Sequence, residues 1–512
     1  MKARALCRRL EIVPDPLALF RTLSDGGRRP HTVLLESAQP ATGRAERSIL
    51  MPSAALQVVC RGETVTISPL SATGAALLPG LARHFEAYER ELRDNSLTLR
   101  FPRQTIAGTD RERLLAPSVL TALRELAAAL RPAVTELPES LFLTGLFAYD
   151  LVELFERLPP AEPGDSPDLP DYQFYLADQL VIVDHRTNST EVMGVVFGDG
   201  DEVAARAAVT SLAAGVERCV AEPPLDQVTG REAAVAVEPG DHQFAAGVEQ
   251  LQRHIGAGDV FQIVPSRTFS LPCADPLAAY RRLRALNPVP YLFFANGGDW
   301  VLFGSSPESA VRVEGRTRTV EISPIAGTRP RGKAEDGSID LELDTRLEAE
   351  LRLDAKEMAE HMMLVDLARN DVARISRPGT RHVAELLRVE RYSHVMHLVS
   401  RVRGELADGL DALHAVQASM NMGTLTGAPK LRAMELLRGH EPGRRNHYGG
   451  MFGYLLGNGT LDTAIVIRAA LVREGVAQVR AGAGVVHDSV PLLEAEETRR
   501  KAEAVLRAIS AA

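Results

Sequence analysis

From residue 242 onward the chain is a procession of short apolar, β-branched runs set off by turn residues. VFQIVPSRTFSL, PYLFFANG, WVLFGSSPESAVRVEG and RTVEISPIAGT come first; YGGMFGYLLG, LDTAIVIRAALVRE and VAQVRAGAGVVHD follow later. Neighbouring strands joined by turns of a few residues pair antiparallel, because a parallel crossover needs a dozen or more residues. Helical stretches at 242–257, 341–375, 408–419, 428–438 and 492–510 must then cover the sheets. The expected class is α+β, with large, mostly antiparallel sheets covered by helices.

The first part of the chain has its own rhythm. HTVLLES, ALQVVC and ETVTIS alternate as strands within residues 31–70, and helices are expected at 76–100 and 111–131. SLFLTGLFAYDLVELFE (140–156) runs from strand into helix, FYLADQLVIVDHRTN (174–188) is a strand closed by a polar turn, and 201–219 is an Ala-rich helix. At 512 residues the chain is too long for one core. The stretch VAEPPLDQVTGREAAVAVEPGD is the best candidate for a break. The expected organisation is an N-terminal lobe at 1–220, a linker at 221–241 and a C-terminal domain at 242–512.

Charge excludes several function classes. The net charge is −9 with no long basic cluster, which argues against a nucleic-acid partner. No run of 18 apolar residues appears, so no membrane span is expected. The four cysteines are far apart and match neither a metal-ligand spacing nor a disulfide framework, which suits a reducing cytoplasm. Of 58 basic residues only Lys2, Lys333, Lys356, Lys430 and Lys501 are lysine.

The stretch 351–374, LRLDAKEMAEHMMLVDLARNDVAR, has no Gly or Pro and reads as helix. Met358, Met362, Val365 and Leu367 are spaced as a buried stripe. Asp354, Glu357, Glu360 and His361 recur at spacings of three or four and crowd one side, where like charges repel unless a cation stands between them. Two readings stay open: a solvated acidic face, or carboxylates facing a divalent metal, for which oxygen-only ligands favour Mg²⁺. The last helix repeats the arrangement with Glu494 and Glu497, and Lys501 one turn beyond makes either an ordinary i,i+4 pair or part of the same site. Three Gly-rich turns, PIAGTRPRG, GTLTGAPKLRAM and AGAGVVHDS, let backbone N–H groups approach an anion. With Tyr448 and Arg468 on separate strands, they suggest a site for a small polyanion. Glu308 follows a strongly apolar strand, where burial would raise its pKa. His397 sits in an apolar strand, as a core histidine or a catalyst.

These segments, in collinear order with YSHVMHLVS, AEHMMLVDLARND and EAEETRRKAEAVL, resemble the chorismate-utilising enzymes. The chain is most similar to the large-subunit (component I) branch of the anthranilate synthases, and the likeness reaches the N-terminus through LLESA, TGLFAYDLVELFE and LVIVDH. The resemblance implies a two-lobed fold with paired antiparallel sheets, chorismate as substrate and Mg²⁺ as cofactor. It implies Glu360 and Glu497 as metal ligands with Glu357 and Glu494 as supporting acids. It implies Gly327, Thr328, Tyr448, Arg468, Gly482, Ala483, Gly484 and Lys501 as chorismate contacts, and Glu308, His397, Gln262 and Thr424 as catalytic positions.

Water-using relatives carry a Lys where this chain has Gln262, and aminodeoxychorismate synthases read PIKGT where it has Ala326. Both departures favour ammonia as nucleophile and anthranilate as product. An aminodeoxyisochorismate synthase that never eliminates pyruvate, and an aminodeoxychorismate synthase, are the alternatives. No Gly-x-Cys-x-Gly nucleophile turn is present, so ammonia from glutamine requires a separate amidotransferase subunit, in a heterotetramer of two of each by family analogy. In regulated relatives tryptophan lies against an LLES and a Pro-Ser-Pro-Tyr-Met segment. Here Glu36, Ser37, Arg47, Pro290, Tyr291 and Leu292 correspond, and Val289 and Leu292 replace Ser and Met. The expectation is weakened feedback, as in an isozyme serving a secondary product.

Overall fold

The computed structural model describes residues 1–37, 47–103, 108–133, 137–161, 169–221, 234–334, 336–392 and 395–512. Two ladders decide the architecture. Thr32–Glu36 pairs antiparallel with Arg47–Arg61 on one edge and with Tyr291–Asn296 on the other. Phe142–Phe147 pairs with Tyr172–Asp184 and with Met451–Leu456. Strands from before and after the 221–241 stretch therefore share sheets. Residues 222–233 of that stretch lie outside the described residues. Its end is built into the sheet, where Ala236–Glu238 pairs with Ser266–Pro272.

From these two crossings the ladders spread in opposite directions. Tyr291–Asn296 leads through Val301–Ser306, Ala469–Arg473 and Val476–Gly482 to Ser266–Pro272. Met451–Leu456 leads through Leu461–Ile465, Ser309–Glu314 and Thr319–Ile322 to Val395–Glu405. The last strand also carries Ile325–Pro330 and His382–Arg391. Every one of these pairings is antiparallel, and the result is a set of large sheets rather than a closed barrel. The α+β expectation holds.

Local chemistry revises several boundaries. The helix expected at 76–100 stops at His84, and the rest is a hairpin, Glu89–Arg93 with Ser96–Arg100. Asp94 and Asn95 turn it with φ of 46° and 58°, a conformation these two residue types tolerate. Leu97 and Leu99 alternate inward, which is the period of a strand. The helix expected at 341–375 is two helices, Leu341–Leu353 and Ala355–Ala373. Asp354 divides them because its carboxylate caps the second, accepting from the Lys356 and Glu357 amides at 3.0 and 3.1 Å.

The buried face of Ala355–Ala373 is His361, Leu364, Val365, Ala368, Asp371 and Val372. Of the expected stripe only Val365 is among them, and Met362 is 44% exposed. His361 sets that phase: its Nε2 meets Ser400 Oγ at 2.6 Å on the strand Val395–Glu405. It therefore belongs to the helix–sheet contact and not to the acidic face. Val365, Ala368 and Val372 enter one buried cluster with Val311, Val320 and Val402 of the sheet.

Candidate active site

The helix Ala355–Ala373 lies along the strand that carries His397, and Glu357 and Glu360 lie outside its buried face. Gln262 Nε2 donates to Glu360 Oε1 at 2.8 Å. Gln262 comes from a two-residue strand, Gln262–Ile263, paired with Gly427–Ala428 of the GTLTGAP turn. Ile263 also bridges Val485, so this short segment joins two of the Gly-rich turns. A Cβ on Gly484 would stand 2.6 Å from Gln262 Nε2, so any larger residue there must push the amide aside. Gln262 Oε1 is buried and accepts no hydrogen bond from the described residues.

Glu308 follows the strand Val301–Ser306, and its carbonyl accepts from the Ile465 amide at 3.0 Å. Its carboxyl is buried and accepts from Thr424 Oγ1 at 3.2 Å. Burial pushes its pKa up to about 8 against the opposing pull of Thr424, Lys501 and Arg468. His397 stands opposite Thr328 in the ladder between Ile325–Pro330 and Val395–Glu405. Its Nδ1 lies 3.1 Å from the Gly327 carbonyl and 3.0 Å from Thr328 Oγ1. A carbonyl only accepts, so Nδ1 carries the proton and Nε2 keeps the basic lone pair. Burial, with the Arg468 charge adding, pulls its pKa down to about 4, so the ring is neutral at pH 7. Arg468 acts on both groups from a backbone held at φ 48°. A proton-holding acid and a neutral base therefore lie within the field of one arginine.

The PIAGT turn closes against the acidic helix. Gly327 has φ of 69°, and a Cβ there would stand 2.9 Å from Leu351 Cδ1 and 3.3 Å from Glu357 Oε2. Arg329 reaches back to Asp354 at 2.7 Å and Glu357 at 3.4 Å. Ala483 donates its amide to the Pro265 carbonyl at 3.1 Å. A Cβ on Gly482 would lie 2.7 Å from the Tyr448 hydroxyl. Tyr448 is buried, and burial drives its pKa up to about 12, so it remains a phenol.

Beneath these turns lies a buried ionic cluster that residue patterns did not disclose. Glu441 accepts from Ser266 N at 2.7 Å, Arg445 Nη2 at 2.6 Å and Arg480 Nη2 at 2.8 Å. Arg445 also donates to the Leu425 and Val264 carbonyls at 2.6 and 2.7 Å. It thereby fixes the GTLTGAP turn to the Gln262 segment. Lys430 is similarly structural, held by Asp371 at 2.7 Å and the Ser419 carbonyl at 3.1 Å. The one sequence signal was the scarcity of lysine.

On the last helix, Pro491–Ser510, Lys501 Nζ is 2.7 Å from Glu497 Oε1 and 3.0 Å from the Gly482 carbonyl. The ordinary i,i+4 pair and the reach into the Gly-rich turn are both present. Glu494 is buried, and burial, with Glu497 adding, raises its pKa. Burial, with Glu360 adding, does the same to Glu357. Among the described residues no three His, Cys, Asp or Glu side chains gather into a closed metal shell. Carboxylates of two helices, with the unpartnered Gln262 oxygen beside one of them, fit an ion that takes only oxygen and leaves most positions to water and substrate. That is the habit of Mg²⁺.

Glu36, Ser37, Arg47, Pro290, Tyr291 and Leu292 all line one cavity of about 690 Å³, with Arg312, Glu321 and Arg403 on its far wall. Glu36 is buried and already engaged, by Tyr280 Oη at 2.6 Å and Arg284 Nη2 at 3.0 Å. Arg47 meets Glu139 and Asp184, each at 3.3 Å. Tyr291 donates to Asp462 at 3.0 Å. Val289 lies instead in the buried core with Tyr280 and Leu283, outside the cavity lining.

Large antiparallel sheets, Gly-rich turns beside Arg468 and a buried Tyr448, and carboxylates on two helices suit a site for a small anionic substrate. The chain belongs to the chorismate binding enzymes, whose family profile matches residues 86–507. It is 49% identical over 499 residues to anthranilate synthase component 1 of Salmonella typhimurium, covering 97% of this chain and 95% of that one. It is 51% identical over 504 residues to the pyocyanine-specific anthranilate synthase component 1 of Pseudomonas aeruginosa, covering 98% and 93%. Among solved structures, anthranilate synthase component I from Streptococcus pneumoniae aligns with TM-score 0.70 at 28% identity, over 92% of this chain and 93% of that one. The menaquinone-specific isochorismate synthase MenF of Escherichia coli shares the fold, with TM-score 0.67 at 17% identity over 99% and 94%. No helix among the described residues is long and apolar enough to cross a membrane.

Proposed function

We propose that this chain converts chorismate and ammonia to anthranilate and pyruvate through 2-amino-2-deoxyisochorismate, as the large subunit of a two-component synthase. The observation that carries the reading is the presence, within the field of Arg468, of a buried Glu308 carboxyl held by Thr424 and a buried His397 whose Nδ1 is committed to the Gly327 carbonyl. The two groups differ in protonation at one pH, which is what a two-stage reaction needs from one pocket.

In the first stage the ammonia lone pair forms the bond to carbon 2 while the carbon 4 hydroxyl departs. Glu308 gives that hydroxyl its proton, so it leaves as water, and the new ammonium group releases one proton in return. In the second stage the carbon 2 proton passes to His397 Nε2 as the ether bond breaks. Its electron pair makes the ring aromatic, and the enolpyruvyl group leaves as pyruvate after taking up a proton. Arg468 and Tyr448 bind the substrate's polar groups, and the backbone on either side of Ala483 approaches it closely because Gly482 and Gly484 carry no Cβ. Gln262 offers only an amide, which cannot activate water, so a nucleophile already competent when neutral is required. Glu360 and Glu497 would hold Mg²⁺, with Glu357 and Glu494 behind them, and the ion would offset charge on the ring carboxylate.

The division into an N-terminal lobe at 1–220 and a catalytic domain at 242–512, a cytoplasmic setting, and a heterotetramer with an ammonia-supplying amidotransferase belong to the same reading. So does an amino-acid inhibitor of the tryptophan class in the 690 Å³ cavity. The test is the purified chain with chorismate, Mg²⁺ and ammonium salt at alkaline pH, with the product identified by chromatography and fluorescence. Anthranilate from ammonium but not from glutamine is the expected result. A non-aromatic amino product, or turnover with glutamine alone, would overturn the reading.

A further inference from the structure

Lys501 has two assignments that a single ammonium cannot fill at the same time. It is paired with Glu497, the proposed metal ligand, at 2.7 Å. Its second contact is the Gly482 carbonyl at 3.0 Å, which places the ammonium at the Gly-rich turn proposed to take the anionic substrate. We infer that Lys501 is an exchangeable counter-ion: it holds Glu497 when the metal is absent, is displaced by Mg²⁺, and only then turns its charge to the anionic substrate. The inference rests on the proposed role of Glu497.

Three physical facts support the exchange. A divalent cation on Glu497 and an ammonium at 2.7 Å from the same carboxylate repel each other. The two side chains are 44% and 38% exposed, so water screens the pair and the bond is weak enough to give way. Lysine carries three donors on a flexible four-carbon stem, so it can release the carboxylate while keeping the Gly482 carbonyl. The displaced ammonium then stays at the rim of the turn. Metal loading would in this way prepare the substrate's anion site, and the surface-pair and substrate-contact readings of Lys501 become two positions of one side chain.

Isothermal titration calorimetry of the full chain with magnesium chloride alone tests this without turnover. Lys501→Met removes the competitor, so Mg²⁺ should bind about two- to fivefold more tightly than in the unmodified chain, the range an ion pair of this exposure is worth. Lys501→Gln, which keeps a donor for the Gly482 carbonyl, should show the same gain, and Lys501→Arg, which keeps the charge, should not. Chorismate binding to the Mg²⁺-loaded Lys501→Met protein, measured without ammonia, should weaken. Unchanged or weaker Mg²⁺ binding in both neutral variants would overturn the exchange, since Lys501 would then orient Glu497 rather than compete for it. Glu497→Gln separates the two failures. Loss of the Mg²⁺ heat in that variant keeps the ligand reading whatever Lys501 does; an undiminished heat removes the ligand reading and the exchange together.

Discussion

Gln262 and Glu360, 98 positions apart in the chain, are joined by a 2.8 Å hydrogen bond from amide nitrogen to carboxylate oxygen. The bond decides which end of the amide faces the site. With Nε2 committed to Glu360, the buried Oε1 is the atom left to accept a hydrogen bond, and ammonia is a donor of one.

The bond depends on a missing methyl group. Gly484→Ala would place a Cβ 2.6 Å from Gln262 Nε2, so the side chain must move and release Glu360. The expected outcome is a loss of ammonium-dependent activity of about tenfold or more, with a change in melting temperature of only a few degrees. Initial rates from anthranilate fluorescence, set beside thermal melts, check it. A near-wild-type rate would show that the contact is incidental.

Glu308 should set the alkaline limb of the rate profile. It must hold a proton to act as an acid, and its pKa is about 8, so kcat should fall above that pH even as more ammonia becomes neutral. Thr424 holds the charged form down by its hydrogen bond, so Thr424→Val should move the limb to higher pH. Glu308→Gln should lose roughly 10²–10⁴-fold in kcat.

The same shift has a stability signature. Between the ordinary carboxyl value of 4.5 and about 8 the folded chain holds a proton at Glu308 that the unfolded chain has released. This group's contribution is therefore complete below 4.5 and is lost as pH rises to about 8. Urea melts across that window should show the unmodified chain losing stability relative to Glu308→Gln. Parallel curves would mean that Glu308 ionises normally.

His397→Met should separate the stages. It removes the Nε2 base but leaves Glu308 and Arg468, so amination continues and a non-aromatic amino intermediate accumulates on chromatography. Unconverted chorismate with no intermediate would assign His397 to the first stage or to packing. Its depressed pKa has the opposite linkage sign to that of Glu308. Its contribution is present above 6.5 and is lost as pH falls to about 4.

The cavity beside Glu36 gives a prediction that differs from the one the residues alone suggest. The replacement at Val289 falls in the hydrophobic core and not on the cavity wall. Val289→Ser should therefore lower stability by about 1–3 kcal/mol through a buried hydroxyl and leave tryptophan inhibition as it was. Leu292→Met, on the lining, should strengthen inhibition modestly. Tryptophan titrations of the two variants decide it. Restoration by Val289→Ser alone would show that the core substitution transmits to the cavity.

Several candidate site residues were legible one at a time, because each stands in a short segment whose chemistry is local. A glycine in the PIAGT turn, an acid after an apolar strand and carboxylates at helical spacing can each be read without knowing what lies opposite. The hairpin after His84 and the helix break at Asp354 were misread, although their signals, an Asp-Asn turn and a capping carboxylate, are also local. The helical run of Ala, Leu and Glu outweighed them.

Other features had no local trace. Glu441, Arg445 and Arg480 look like ordinary surface charges in the sequence, yet they form the buried cluster that fixes the GTLTGAP turn to the Gln262 segment. His361 looked like a member of the acidic face until Ser400 drew it inward. Chain pattern was enough for the sheet class, and the resemblance of collinear motifs for the family, since strand period, turn length and side-chain chemistry act over a few residues. The position of Thr32–Glu36 beside Tyr291–Asn296, the shifted pKa values of Glu308 and His397, and the lining of the cavity beside Glu36 needed the folded chain. Each depends on which distant groups exclude water from a site or share a hydrogen bond there, and burial is a property of the whole packed molecule.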